Sequence, residues 1–439
     1  MIRPTLILII GSILGLIFLV FLYALLRRSW RKRRYGLLDA ERAKFAPLVD
    51  ALVAGGGDIE GLRKAANSLE WIAIEDLLFK ALDDPAASKE AVLSLFERLG
   101  YAHHYISSLR HGNKWERAGA AEKLGRIGCR RVAPHLVKEL NSEYRDVCNM
   151  AVYSLGAIRD AKAIPYIMER LVKAIENREE VSIRIIKSSL IAFGSPAVPH
   201  LLRELGNPSW KIRAAVVDML GELPSPDSVR ALTVALNDTE RDVRAKAAKG
   251  LGKLKDPSSA LPLIEHMEDP HWVVRLHVTR ALGLIRDPVA VEYIEKRLYD
   301  IKWQVRKAAA EALGRFGGSA FVELLDVYLN SHDRYSKEQA SAEIAKAGLL
   351  GALATAVLTK EMTVSDDITG ILKRAQSLCK TYRNISLDVF FEMLLLLSRA
   401  GREKFGDALA QFAAEELDDA QREEVIDAVE KLVRERRLT

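Results

Sequence analysis

The stretch from Trp210 to Phe316 decides the fold. Four segments within it align: WKIRAAVVDMLGEL from Trp210, RDVRAKAAKGLGKL from Arg241, WVVRLHVTRALGLI from Trp272 and WQVRKAAAEALGRF from Trp303. Arg213, Arg244, Arg275 and Arg306 follow one another at intervals of 31 residues. Seven residues after each comes a Leu-Gly pair: Leu220-Gly221, Leu251-Gly252, Leu282-Gly283 and Leu313-Gly314. Self-similarity at a fixed period of tens of residues marks an array of supersecondary units, each unable to cover its own apolar face.

One unit shows the design. Asp256-Pro257 opens a first helix with Leu261, Ile264 and Met267 on its apolar side. Asp269-Pro270 breaks it and opens a second helix, because an acidic residue followed by proline starts a helix well. There Val274, Val278, Ala281, Leu282 and Ile285 recur at three- and four-residue steps, which makes one buried face. Gly283 permits close packing, and Asp287-Pro288 begins the next unit. Period-two strand patterns are absent. Weaker copies precede the array: Trp115, Arg117 and Leu124-Gly125 form one, Leu155-Gly156 ends another with Cys148 in the arginine slot, and Phe193-Gly194 ends a third. The longer gap before Phe193 accommodates the polar run Glu176 to Glu180. Leu99-Gly100 and Ala347-Gly348 read as outer copies.

The Asp-Pro starts, the Val-Arg step, the alanine-rich second helix and the Leu-Gly end resemble HEAT repeats of the short, phycobilin-lyase HEAT-like type. The resemblance covers about residues 88–350 and is strongest over 205–318. It implies an all-α, right-handed α-α superhelix. The 31-residue unit is shorter than the 40–47 residues of long HEAT or armadillo repeats. The ankyrin T-P-L-H-x-A motif and the W-x-x-L-G-x-x-Y start of tetratricopeptide repeats are both missing. The domains expected are an anchor and basic segment over 1–35, a helical cap over 36–112, repeats over 113–350 and a second helical cap over 351–439. Gly55-Gly56-Gly57 reads as a turn in the first cap. Val389 to Leu397 (VFFEMLLLL) is apolar but too short to span a bilayer, and Asp418 to Arg437 reads as a charged amphipathic helix.

Thr5 to Leu26 contains no charge. As a helix it would extend about 33 Å, enough for the hydrocarbon core of a bilayer. A signal peptide has a shorter apolar core and a small-x-small cleavage site, whereas this run ends in Arg27, Arg28, Ser29, Trp30, Arg31, Lys32, Arg33 and Arg34. An uncleaved single-pass anchor is therefore expected. The basic bias after the span, against Arg3 before it, places the C-terminal body on the cytoplasmic side of the inner membrane. The cluster at Arg27–Arg34 reads as a topology signal, with a grip on anionic lipid of about 1 kcal/mol per charge as the alternative.

The same segment explains the net charge of +6 among 439 residues. Residues 1–34 hold seven basic residues and no acidic one, so the rest carries 58 basic against 59 acidic. That balance argues against nucleic-acid binding by the body. Cys129, Cys148 and Cys379 are too few and too far apart for a disulfide framework or a structural zinc site.

No chemical centre stands out. HExxH, GxSxG and the phosphate-loop pattern G-x-x-x-x-G-K-[ST] are absent. The related deoxyhypusine hydroxylase family holds two irons through His-Glu pairs, and this chain has no His-Glu dipeptide. No cofactor, metal or catalytic residue is expected. Asn207, Asp238, Asp269 and Asp300 stand six residues before Arg213, Arg244, Arg275 and Arg306. A row of guanidinium groups can bind phosphates or carboxylates. The resemblance to HEAT arrays implies instead a structural ladder, in which Asp and Arg hydrogen-bond between adjacent turns and repeats. Trp210, Trp272 and Trp303 share one repeat position, with Arg241 in the unit between. Such residues can stack on bases or on a bilin, cover a helix end, or form a protein-binding ridge. These four are the candidate partner-binding residues. The function expected is a membrane-anchored, non-catalytic scaffold that binds another, membrane-associated protein. The alternatives are a phycobilin-lyase-like, tetrapyrrole-handling enzyme and a HEAT-like nucleic-acid binder.

Overall fold

The computed structural model describes residues 2–64, 66–128, 130–176, 181–318, 320–358, 386–413 and 417–436. For residues 2–13, 349, 352, 356, 387, 432, 435 and 436 it describes the backbone alone. Every regular element among the described residues is helical. The chain divides into two compact units, Met1–Phe193 and Gly194–Thr439.

The first unit opens on one long helix, Ile2–Val53, which carries both the apolar run and the basic cluster. From Leu14 to Leu26 its side chains are exposed all round, whereas Leu38, Phe45 and Val49 are buried at helical spacing. Among the described residues no single helix is long and apolar enough to cross a membrane. The side chains of Thr5 to Ile13, the first part of the expected span, lie outside the described residues. The helix ends before Gly55 and Gly57, whose φ values of 89° and 90° are left-handed and reverse the chain at little steric cost. Helices Leu69–Asp83, Lys89–Arg98 and Tyr101–His111 follow. Trp71, Phe79, Phe96 and Tyr101 are buried among them. Glu75, buried beside this cluster, receives the Lys123 Nζ at 2.7 Å and the Tyr105 hydroxyl. The repeats then begin with Lys114–Ile127, whose Asn113 and Glu116 form a reciprocal capping box. Cys148 occupies the arginine slot of the next repeat as a buried thiol, donating to the Leu140 carbonyl at 3.1 Å. Cys129, Cys379 and the run Asn177 to Glu180 lie outside the described residues.

The second unit contains the regular array. Its second helices are Trp210–Leu220, Arg241–Leu254, Trp272–Ile285, Trp303–Phe316 and Arg334–Ala347, and consecutive ones pack side by side. Val274, Val278, Ala281 and Leu282 are buried, as the periodicity requires, while Ile285 is only partly covered. In the first helix Leu261, expected on the apolar side, is exposed, and Leu263 is buried in its place. A Cβ on Gly252 would stand 2.7 Å from the Cα of Ala281, and one on Gly283 2.6 Å from the Cβ of Ala312. Gly221, Gly252 and Gly283 are thus where the next repeat's helix makes its close approach, while Gly314 faces the Glu343 carboxylate.

The first helices differ from expectation. Pro257 opens a single 3-10 turn, Pro257–Ser259, followed by a six-residue α-helix, Ala260–Glu265. The second helix begins at Trp272 and not at Pro270. Asp269 and Pro270 are held in a turn instead, for reasons that lie in the arginine ladder described below. At the C-terminal end Leu387–Ala400, Arg402–Phe412 and Asp419–Arg436 pack on one another. Phe390, Met393, Leu394 and Leu397 are buried there, which accounts for the apolar run around Val389. Arg402 reaches Glu423, Asp427 and Glu430 of the last helix.

Candidate functional site

The ladder is built at the turn between the two helices of each repeat. The Nε and Nη2 of Arg244 donate to the two carboxylate oxygens of Asp269 at 2.7 and 3.1 Å. Arg213 grips Asp238 at 2.8 and 2.8 Å, and Arg275 grips Asp300 at 2.7 and 2.9 Å. The carboxylate partner therefore stands 25 residues on, in the following repeat. Within a repeat, the six-residue spacing brings the arginine to a main-chain oxygen: Arg275 Nη1 donates to the Asp269 carbonyl at 2.8 Å, and Arg244 Nη1 to the Asp238 carbonyl at 2.9 Å. Asp269 and Arg275 thus touch through the backbone, with no side-chain pair between them among the described hydrogen bonds.

Each acid has a third task. Asp238, Asp269 and Asp300 accept the main-chain N–H two residues on, from Glu240, His271 and Lys302, at 2.8, 2.8 and 2.9 Å. That closes the turn and sets the first residue of the second helix. Asn207 makes the same turn through Ser209 at 3.0 Å, and Arg213 Nη1 donates to its carbonyl. Each acid so binds the arginine of the repeat before, caps its own turn and presents its carbonyl to its own repeat's arginine.

The electrostatics follow. The hydrogen bond from Arg213 holds the Asp238 carboxyl below the ordinary range. Burial alone pushes the carboxyls of Asp269 and Asp300 upward, but the hydrogen bonds from Arg244 and Arg275 and from the backbone outweigh it, so both also end low. A desolvated carboxylate keeps its charge only where such donors surround it. The first three arginines each give their Nε and Nη2 fork to an aspartate and leave no fork for a ligand.

The residues proposed to meet a partner occupy the first position of their helices. Trp303 is 56% exposed and Trp210 is 36% exposed. Arg241 is exposed beside Asp242. Trp272 differs: it is half-buried against Leu276 of its own helix and Val305 and Ala308 of the next repeat. Three of the four face solvent, and the fourth serves partly as inter-repeat packing. Trp115, at the corresponding position of a repeat in the first unit, is 69% exposed. Two further exposed residues, Tyr299 and Ile301, precede Trp303 in the turn, and Tyr335 is exposed one repeat on. Sequence reasoning passed over these three because they have no counterpart in the other repeats. Among the described residues no cluster of His, Cys, Asp and Glu is arranged to hold a metal ion.

A family model for HEAT repeats matches residues 104–184, 198–275 and 260–345. No curated protein matches the chain. Solved structures similar to it include human deoxyhypusine hydroxylase in complex with glycerol, 20% identical over 55% of this chain and 96% of that one, with a TM-score of 0.26. Another is the complex of CpcE and CpcF of phycocyanin lyase from Nostoc sp. PCC7120, 19% identical over 68% and 94%, with a TM-score of 0.28. A third is Kap121p bound to Pho4p, 12% identical over 85% and 50%, with a TM-score of 0.44.

Proposed function

The chain belongs to the HEAT-repeat family, and from that premise we propose that it is a membrane-tethered scaffold that captures another protein on its repeats without catalysis. The observation that carries this reading is the display at the start of successive second helices. Trp210, Arg241 and Trp303 stand at the start of helices whose other faces are buried, yet they face water. Large aromatic and arginine side chains on a preformed surface are what protein-binding hot spots are made of.

The tether is Thr5 to Leu26. Exposed apolar side chains surround the helix from Leu14 to Leu26, and such a surface is stable in lipid and not in water. The basic residues from Arg27 to Arg34, all exposed on the same helix, support an orientation with the repeats on the cytoplasmic side of an inner membrane. In this proposal residues 1–35 anchor the chain, 36–112 and 351–439 cap the array, and 113–350 bind the partner.

The test is a photoreactive residue in place of Trp303 in cells, with membranes washed at alkaline pH before illumination. One discrete crosslinked protein, in the membrane pellet, is the expected result. Release of the chain by the wash ends the tether. Absence of any crosslink from positions 210, 241 and 303 alike ends the scaffold reading. A cytoplasm-active reporter fused after Thr439 reads the orientation, and an export-dependent reporter active in its place reverses it.

A further inference from the structure

The ladder stops one partner short. Arg306 is the fourth arginine of the series, and its Nη1 donates to the Asp300 and Ile301 carbonyls at 2.7 and 3.4 Å, as in the repeats before it. The residue 25 positions on is Ser331, where the preceding repeats have Asp238, Asp269 and Asp300. Ser331 keeps the turn, its hydroxyl accepting the Asp333 N–H at 3.1 Å. It lacks the second oxygen that would reach the arginine. The guanidinium is nevertheless buried: Arg306 is 8% exposed and its Nε has no hydrogen-bond partner.

The first unit shows what compensation looks like. Arg117, whose Nε is likewise without a partner, also faces a serine 25 residues on, Ser142, at 3.2 Å, and there Glu139 supplies a carboxylate to Nη2 at 2.5 Å. The position equivalent to Glu139 beside Ser331 is Tyr328, whose hydroxyl donates to Gln411. Asp333 is engaged at the start of its own helix, accepting the Ser336 hydroxyl and the Ser336 N–H. The Arg306 charge helps hold the Asp333 carboxyl low, but among the described residues no carboxylate forms a hydrogen bond or ion pair with Arg306. What lies against it is the ring of Tyr335, 5.1 Å from the guanidinium carbon. A ring stacks on the face of a guanidinium, while a carboxylate binds in its plane through the fork, so the stacking leaves the need for an acceptor unmet.

We propose that Arg306 is a docking socket for a carboxylate of a partner protein, an aspartate or glutamate carried on an apolar segment. That side chain takes the place Asp269 takes on Arg244. The surround fits such a segment: Tyr299, Ile301, Trp303 and Tyr335 are each more than half exposed. Because the Nε is buried, docking on the full fork requires the exposed Tyr335 ring, which lies against the guanidinium, to move aside. A buried charge already desolvated by its own protein gains a partner without a further large desolvation cost on its side, so the acid is recognised strongly relative to an amide. The inference rests on the scaffold reading and gives its partner a chemistry.

The chain supplies its own probe, a fluorescent peptide of the ladder turn Glu268 to Val273 (EDPHWV), and its own control, Ser331→Asp. Full-length protein in lipid nanodiscs should bind the peptide and bind its Asp→Asn version at least tenfold more weakly. Arg306→Lys, which keeps the charge and loses the fork, should weaken the acidic peptide to the level of the amide. Ser331→Asp should raise the melting temperature and abolish peptide binding together, because the socket is filled in cis. Equal binding of acid and amide overturns the proposal. So does a Ser331→Asp protein that melts and binds as the parent does, or peptide binding displaced by millimolar inorganic phosphate in the Arg306→Lys protein as in the parent. If crosslinking to a partner succeeds at Trp303 and is unchanged by Ser331→Asp, the socket fails and the scaffold stands. If the peptide results hold and no partner is crosslinked, Arg306 binds a carboxylate but the scaffold reading fails, and the socket for a partner protein fails with it.

Discussion

Arg244→Ala and Asp269→Ala, singly and together, test how the array is held. The Asp269 side chain is 5% exposed and Arg244 is 12% exposed, with two hydrogen bonds between them. Removing the arginine leaves a buried carboxylate with the His271 N–H as its remaining donor, at a cost of about 3 kcal/mol. Removing the acid strands a guanidinium that still holds the Asp238 and Thr239 carbonyls, and opens the turn before Trp272, again at about 3 kcal/mol. The double variant has no stranded charge, so about 4 kcal/mol is expected in place of about 6, a coupling of about 2 kcal/mol. In a body of this size each kcal/mol moves the melting temperature by about 2–4 °C. Thermal and urea melts of the full-length protein, followed by tryptophan fluorescence, resolve that difference. The cycle for Asp269 and Arg275 is the control. Arg275 meets the backbone carbonyl of Asp269, which survives substitution, so coupling below about 1 kcal/mol is expected. Additivity within about 0.5 kcal/mol for Arg244 with Asp269, together with strong coupling of Asp269 to Arg275, would refute the cross-repeat ladder.

Acid should loosen the repeats: the carboxyls of Asp238, Asp269 and Asp300 lie low in the folded chain, so their contribution is complete above the unfolded value of about 3.9 and is lost as pH falls through the folded values. Melts between pH 3 and 6 should show a fall at the acidic end that the triple Asp→Asn variant lacks. Gly283→Ala places a methyl 2.6 Å from the Ala312 Cβ and should cost about 1–3 kcal/mol, part of which Ala312→Gly restores; a melt unchanged by Gly283→Ala would mean the helices are not in contact there. Trp272→Ala should cost about 2 kcal/mol by exposing Val305 and Ala308, while Trp303→Ala should stay within about 0.5 kcal/mol and lose the partner in a pull-down.

How much of this was legible depends on whether a residue acts within its own repeat or on the next. The second helices were plain in the sequence, because Val274, Val278, Ala281 and Leu282 lie on one face whatever surrounds them. The Leu-Gly pair was legible for the same reason: a small residue at a constant place in a buried stripe implies a close neighbour. The first helices were less so, since six residues carry too few turns for a period to register. The start of the second helix was misplaced because proline at position 270 satisfies the local rule for a first helical residue, whereas hydrogen bonds from His271 and Arg275 hold Asp269 and Pro270 outside the helix.

The same distinction separates the ladder from the exposed row. Repeat phase showed that Asp269 and Arg275 recur together, and it made the within-repeat pair look natural. The side-chain partnership runs the other way, from Arg244 to Asp269, because a guanidinium on the second helix reaches forward to the next turn while its remaining nitrogen reaches back to its own. The 25-residue spacing that carries it is constant along the array and was open to reading throughout. Once that spacing is the rule, its failure at Ser331 becomes visible in the sequence as well, and so does the difference between Arg117, whose Nη2 meets Glu139, and Arg306, which has no acid at the equivalent position, Tyr328. Exposure obeys no such rule. Trp210, Trp272 and Trp303 have one phase and three surroundings, since what covers each is set by the neighbouring repeat: Val305 and Ala308 make a shelf for Trp272, while Trp303 stays open to water. A repeat sequence therefore announces which residues are equivalent in the backbone, and leaves to packing which of them remain free to bind.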